Sequence, residues 1–332
     1  MIAHHRDDHA GGTFLHSALI PGSDEELTTT LVRELHRSAH RLDEVLLVVS
    51  DRTRQLLTGP LRPLTDLLTW GDPAAYYQRL GSAYEDFRRH LAERAATGRR
   101  VHVIAEPDLT DHLDPGAAPV RADAYLAYEA VCNDTYAPYG CAVTCIWDSR
   151  HHPAGILDGA RATHRYLLTP HGRQPSPHFR SADDYLLGRR PLPLPEVPQR
   201  VDHDLTLATA ADLGSLRSAL HGWASDLGLA TDPAEDLVVA VVEVASNGLR
   251  HAGTAVRVRA WHRGSTLIVQ CDDSAGLPVP ATAGYHRPDP GSAAPGGRGL
   301  WLARQLADVV LIDATPAGTS VRLQFPHAVM HH

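Results

Sequence analysis

Residues 231–251 read Thr231-Asp232-Pro233-Ala234-Glu235-Asp236-Leu237-Val238-Val239-Ala240-Val241-Val242-Glu243-Val244-Ala245-Ser246-Asn247-Gly248-Leu249-Arg250-His251. A capping residue, an early proline and acids in the first turn mark a helix N-terminus, where proline's fixed φ fits and its missing N–H costs nothing. The body that follows is mostly valine and alanine, which predicts a helix buried on most sides. Within that apolar run Glu243, Asn247 and His251 recur at intervals of four, which places them on one helical face. A carboxylate able to take a proton and an amide oxygen suited to a hard cation thus point the same way. His251 is expected to pack or to balance the helix C-terminus.

Downstream, residues 255–262 alternate Val256, Val258 and Ala260 against Arg257 and Arg259, turn at Arg263-Gly264, and return as a strand over 266–272. A Pro/Gly/Ala-rich loop follows over 274–297, then a helix at 300–307, a strand at 309–313, a turn at 316–318 and a closing strand at 319–325. Upstream lie a strand at 204–209 and a helix through Leu213, Leu216, Leu220 and Trp223. Helices on one face of a mainly antiparallel sheet predict an α/β sandwich. At one strand end, Cys271-Asp272-Asp273-Ser274-Ala275-Gly276 puts a carboxylate beside a tight turn. Gly296-Gly297-Arg298-Gly299-Leu300 brings bare amides to a helix start, where free N–H groups and the helix dipole attract anions.

Glu243-x-x-x-Asn247, Asp272-x-Ser274-x-Gly276, Gly297-x-Gly299-Leu300 and Gly318-Thr319 follow the order of the N, G1, G2 and G3 boxes. Residues 202–326 therefore resemble the GHKL (Bergerat-fold) ATPases, which include histidine kinases, gyrase and the anti-sigma serine kinases. The resemblance implies ATP and Mg²⁺ as cofactors, with Asn247 as the metal ligand and Asp272 accepting the adenine amino group. It implies Gly297, Arg298 and Gly299 at the phosphates, with Gly276 and Leu300 among the box residues around the nucleotide. The loop between is the implied ATP lid, and Thr319 joins the adenine pocket. In the serine-kinase branch, Glu243 is the implied general base on a partner's serine.

A histidine kinase carries its phosphoacceptor in a dimerising hairpin upstream; His221 sits on a short helix with no such motif around it. A gyrase-type ATPase calls for a transducer after the sheet, and seven residues follow Phe325. The serine-kinase branch fits better. Its implied partners are a sigma factor and a STAS-type anti-sigma antagonist, with a homodimer also expected because family members often dimerise. Ser274 stands where the G1 box has its first glycine. That departure motivates a second reading, a non-catalytic, nucleotide-responsive module that sequesters a sigma factor or antagonist.

Leu186–Val201 carries Pro191, Pro193, Pro195 and Pro198, which excludes helix and central strand and predicts a semi-rigid linker over 186–201. Before it, strands expected at 13–19, 44–50, 66–70, 101–105, 142–147 and 165–169 alternate with helices at 24–41, 73–97 and 121–136. Such alternation predicts a doubly wound, mainly parallel α/β sheet. Ile104-Ala-Glu106-Pro107, Tyr128-Glu129-Ala-Val-Cys132-Asn133, Val143-Thr-Cys145-Ile-Trp147-Asp148 and Ala162-Thr163-His164 make residues 10–185 resemble the MEDS sensory domain. That domain often precedes a GHKL module in actinobacterial anti-sigma regulators, and the resemblance implies sensing without naming a ligand. Glu106 and Glu129 are candidates for a cleft at the strands' C-terminal edge. Cys132, Cys141 and Cys145 with His151 and His152 raise a metal or redox site, but Cys-x8-Cys-x3-Cys matches no common zinc pattern, and buried structural thiols are the favoured reading.

All 31 basic residues among the 332 are arginines. With no lysine, a Walker-type phosphate loop, a protein-kinase lysine and Schiff-base chemistry are excluded. The first strand–helix turn, Leu19-Ile-Pro-Gly-Ser-Asp-Glu-Glu26, has one glycine and several acids, which disfavours a triphosphate there. A net charge of −8 without a basic stripe argues against direct nucleic-acid binding. No apolar run reaches the ~18 residues of a spanning helix, and the sequence opens without a signal peptide, so a cytoplasmic location off the membrane is expected.

Overall fold

The computed structural model describes residues 13–107, 109, 118–189, 193–288 and 297–326. The first elements are β1 (Leu15–Leu19), α1 (Asp24–Ser38), β2 (Glu44–Val48), α2 (Asp51–Thr58), β3 (Leu68–Trp70), α3 (Pro73–Tyr76) and α4 (Leu80–Ala96). Next come β4 (Val101–Ala105), α5 (Ala118–Thr135), β5 (Ala142–Ile146), α6 (Ala154–Thr163), β6 (Tyr166–Thr169), β7 (Gly172–Pro175) and α7 (Ala182–Gly188). The last stretch holds β8 (His203–Leu207), α8 (Leu213–Asp226), α9 (Thr231–Asn247), β9 (Val256–Arg263), β10 (Thr266–Asp273), α10 (Arg298–Leu306), β11 (Val309–Thr315) and β12 (Gly318–Pro326).

The first sheet runs β3-β2-β4-β5-β1-β6-β7 and is parallel except for β7, which returns antiparallel to β6. Every residue of β2 and β4 is buried, as expected of strands covered on both faces. The expected doubly wound sheet is therefore observed. β7 was not expected: Gly172-Arg-Gln-Pro175 has no apolar run and pairs only at an edge. The helix expected over 73–97 is two helices. Arg121 donates its guanidinium to the Tyr77 carbonyl, taking an acceptor that a continuous helix needs. At the β1–α1 turn, Ser23 caps α1, and the Asp24 carboxylate pairs with Arg52 and Arg150. That turn thus holds its own acids in local pairs.

The second sheet, β11-β12-β10-β9-β8, is antiparallel throughout. One face, with Val256, Val258, Ala260, Leu267, Val269, Cys271 and Leu323, forms a core with Leu216, Leu220, Leu237, Val241 and Ala245 of α8 and α9. This is the expected sandwich. The opposite face carries Arg259, Trp261, Gln270, Asp272 and Arg322. Arg322 donates to the Gln270 side-chain oxygen at 2.6 Å and to the Pro195 carbonyl at 2.6 Å, and stacks on Trp261 at 5.1 Å. The proline-rich linker is thus bonded to the sheet face that the helices leave bare. Burial draws the Arg322 pKa down to about 10, so the cation persists at neutral pH.

Two compact units emerge: residues 1–73, 86–107 and 132–179 in one, and 74–85, 108–131 and 180–332 in the other. The second unit therefore includes stretches that precede the linker. Gly81 accounts for part of this, since a Cβ there would stand 2.0 Å from the Arg304 carbonyl oxygen. Ser82 donates to the Gln305 carbonyl at 3.0 Å, and Arg121 grips both oxygens of the buried Asp308 at 2.9 and 3.0 Å. Desolvation raises the Asp308 pKa and outweighs the opposing pull of Arg121.

Candidate functional site

α9 continues past Asn247 into one π-helical turn, Gly248–Ala252, that ends at Gly253 in the left-handed region. Gly248 lets the turn pass β9, because a Cβ would stand 2.7 Å from a Val256 methyl. The face formed by Val244, Asn247, Gly248 and His251 opens onto a cavity of about 380 Å³. Val256, Cys271, Ile312 and Val321 also line it, as do the described loop residues Leu277–Pro280 and Ala283-Gly284. Asp272, Gly297, Leu300 and Thr319, all named by the boxes, and Asp273 complete the lining. Residues 289–296, with Gly296 and the middle of the expected lid, lie outside the described residues.

The glycines are dictated by close approach. Gly276 has φ +62°, and a Cβ there would stand 2.3 Å from the Pro316 carbonyl oxygen, which packs one turn against the other. Gly297 has φ +87° and sits at the N-cap of α10 with no side-chain cap. The first intrahelical bond is donated by Trp301, to Gly297. The amides of residues 298–300 thus stand at a positive helix end. A Cβ on Gly299 would lie 2.7 Å from the Asn247 side-chain nitrogen and 2.8 Å from a Glu243 carboxylate oxygen. The helix start, the amide and the carboxylate therefore meet with no room for a methyl group. Glu243 itself opens onto an adjacent recess, with Arg287, Arg298 and Trp301.

The two aspartates of the tight turn are sorted by the pleat, since successive strand residues point to opposite faces. Cys271 is in the helix-side core and pairs with Val321; two residues on, Asp273 pairs with cavity-lining Thr319. Asp272 projects to the other face. Its carboxylate accepts from Arg259 at 2.6 Å, Gln270 at 2.7 Å and Ser320 at 2.6 Å. Asp273 accepts the Ala275 amide at 2.9 Å, which shapes the turn. Ser274 is exposed and lies outside the cavity lining. Asn247, Asp272, Gly297, Leu300 and Thr319 thus gather at the cavity together with Asp273, the Asp272 carboxylate being held by Arg259, Gln270 and Ser320, and Glu243 and Arg298 share the neighbouring recess. Asp273 was given no role by the sequence, and His251, expected to pack or to balance the helix C-terminus, also lines the cavity.

In the first unit, Glu106 accepts the Ser50 amide at 2.8 Å, which ties β4's end to α2's N-cap. His151 is exposed and His152 packs against Trp147 at 5.3 Å. Cys141 is a buried thiol whose pKa desolvation pushes up to about 12. Cys132 and Cys145 instead gather around His16, a residue the sequence did not single out.

Residues 15–165 match the MEDS family, described as the MEthanogen/methylotroph, DcmR Sensory domain. Residues 206–325 match the Histidine kinase-like ATPase domain. No curated protein matches the chain. Among solved structures, the RsbU and RsbW domains of Rv1364c from Mycobacterium tuberculosis are 21% identical, with a TM-score of 0.29. That alignment covers 37% of this chain and 31% of the other, so this chain spans about a third of that structure. No helix among the described residues is long and apolar enough to cross a membrane.

Proposed function

From the premise that the chain joins a MEDS domain to a histidine kinase-like ATPase domain, we propose that it is an Mg-ATP-dependent protein serine kinase of the anti-sigma type. It sequesters a sigma factor and phosphorylates a STAS-type antagonist under control of its sensory part. The carrying observation is the approach of α10's glycine start to both Glu243 and Asn247. A base, a hard-cation ligand and an anion-attracting helix end are brought together on rigid elements.

The residues fit the nucleotide. The cavity is apolar where Val256, Ile312 and Val321 suit a purine face, and polar at Asn247, Asp272, Asp273 and Thr319. Asp272, to which the resemblance gives the adenine-reading role, lines the cavity, and Asp273, on the cavity face of β10, is the carboxylate that we put forward to read the adenine amino group. Bound Mg-ATP supplies the transferable phosphoryl group and a cation that spreads its charge. Asn247 would hold that cation through its amide oxygen. The amides at 298–300 receive the phosphates, and Arg298 offers the guanidinium that a lysine-free chain needs in their place. Glu243, in the outer recess, takes the proton of the incoming serine hydroxyl.

The test is transfer of the γ-phosphate of ATP to a STAS-type antagonist. Glu243→Gln is expected to abolish transfer while sparing Mg-ATP binding. Transfer that survives this change removes Glu243 from its role. Ser274 in the G1 turn favours one second reading, an adaptor that binds nucleotide without transfer. Calorimetric binding of Mg-ATP with no phosphorylation of any antagonist selects that reading.

A further inference from the structure

The sensory unit holds a second constellation that ATP chemistry does not use. β1 carries His16, β5 carries Cys145, and His164 follows α6; all three are at most 2% exposed. His16 stands opposite Val143 in the parallel ladder, so Cys145, two residues along β5, shares its face. The ligand-type atoms of His16, Cys145 and His164 lie within 4.8 Å of one another. Cys145 Sγ is 3.7 Å from His16 Nε2, and the two imidazole centroids are 4.0 Å apart.

Both imidazoles are held in one tautomer. Asn133 donates its Nδ2 to the Thr163 carbonyl at 2.7 Å, which turns its Oδ1 toward His16 Nδ1 at 3.1 Å. His16 therefore carries its proton on Nδ1 and its lone pair on Nε2, the atom beside Cys145. His164 Nδ1 lies 2.7 Å from the Ala160 carbonyl, so it too donates there and keeps the lone pair on Nε2. Fixing Nδ1–H on a carbonyl oxygen is how proteins prepare histidines to ligate through Nε2. Bonds of roughly 2.0–2.1 Å to nitrogen and 2.3 Å to sulfur put such atoms about 3.6 Å apart around a tetrahedral ion. The observed 3.7 Å between Sγ and Nε2 agrees.

We propose that His16, Cys145 and His164 form a buried binding site for a borderline-soft d¹⁰ cation of the Zn²⁺ type. Two imidazoles and a thiolate suit such an ion and not Mg²⁺ or Ca²⁺, which prefer oxygen. A further thiol stands close by: Cys132 Sγ of α5 lies 3.6 Å from both His16 ring nitrogens, and it or a water completes the coordination. Asn133 is a positioning residue that holds the His16 tautomer. The sequence hid the site because its ligands come from two strands and a helix end far apart in the chain. The cysteine spacing that matches no zinc motif belongs to a different set of partners.

The experiment uses the full chain, purified without a metal-affinity step, stripped with chelator under denaturant and refolded with Zn²⁺ or Co²⁺. One tight equivalent per chain is expected. The cobalt form should show thiolate-to-cobalt charge transfer and intense visible bands of a tetrahedral centre. Cys145→Ser should remove the charge transfer and weaken Zn²⁺ at least 100-fold in chelator competition. Asn133→Ala should weaken it roughly 10–100-fold, and Cys141→Ala should change neither readout. Folded wild type that takes up no zinc overturns the proposal, as does uptake without the sulfur band, which would place the ion on surface histidines such as His151. Zinc affinity unchanged in Cys145→Ser overturns it equally. Should Cys145→Ser fail to fold, the wild-type cobalt spectrum decides alone.

Discussion

Asp272→Asn and Asp273→Asn make a matched pair, because neighbouring carboxylates on one strand are assigned to opposite sheet faces. Each change removes charge and keeps shape. At Asp273 the lost interaction is a hydrogen bond from a neutral donor on the nucleotide to an ionised acceptor, worth about 1.5–3 kcal/mol. With tenfold per ~1.4 kcal/mol, Mg-ATP should bind roughly 10- to 150-fold more weakly. At Asp272 the carboxylate accepts from Arg259, Gln270 and Ser320 at 2.6–2.7 Å, with Arg259 and Asp272 about one-fifth exposed. Losing that charge should cost on the order of 1 kcal/mol of folding stability after allowance for solvent screening. In a domain of this size the midpoint of thermal unfolding should fall by about 2–4 °C, with ATP affinity within a factor of about three of wild type. Titration calorimetry and thermal unfolding, run on both variants, give the two readouts. If Asp272→Asn weakens ATP tenfold while Asp273→Asn leaves it unchanged, the face assignment and the cavity built on it are refuted.

Two further outcomes follow from packing and from burial. Gly299→Ala forces a methyl group to within 3 Å of Asn247 and Glu243, so Mg-ATP binding should drop by at least tenfold, with stability lower by about 1–3 kcal/mol; unaltered calorimetric affinity would show that the helix start does not approach that face. His102 is fully buried beside the Thr144 hydroxyl at 2.9 Å, and desolvation draws its pKa from 6.5 to about 3. The unfolded chain therefore binds this proton first, and the stability held above pH 6.5 is lost as pH falls toward 3, with this site contributing up to about 1.4 kcal/mol per pH unit. Denaturant titrations between pH 7 and 4 should show a shallower slope in His102→Gln; an identical slope would mean that the imidazole is not kept neutral.

The order of the four boxes was legible because each depends on local spacing. Glu243 and Asn247 sit four apart on one helix, and Gly297 and Gly299 flank a helix start, wherever the rest of the chain goes. The choice between Asp272 and Asp273 was not legible in the same way. Residues 266–273 read Thr-Leu-Ile-Val-Gln-Cys-Asp-Asp, and alternation is erased because Ile268 and Gln270 are buried on the face away from the helices. That face is covered: Arg322 lies over Trp261 and bonds the Pro195 carbonyl of the linker. A strand buried on both sides carries no period-two signal, so its parity has to come from the ladder with β12. The parallel sheet was read from runs such as Val101–Ala105, whereas β7 has no apolar run and is held by its backbone ladder with β6 and by Arg173, which bonds Ser17 and Glu34.

The same distinction governs what a lysine-free chain can do with phosphate. Arg298 stands at the start of α10 but opens onto the recess with Glu243, while Gly297 and Leu300 line the cavity. Backbone amides and the guanidinium thus approach the proposed phosphate chain from different sides. An arginine there is a fixed fork that stays charged, with reach set by a planar group and not by a flexible ammonium. Placed beside the carboxylate proposed as base, it is positioned for the phosphoryl group in transit more than for the nucleoside. Arg298→Ala should therefore lower the rate of transfer more than the affinity for Mg-ATP. The reverse order, with affinity lost and the rate per bound nucleotide kept, would move the guanidinium's role from the recess to the cavity.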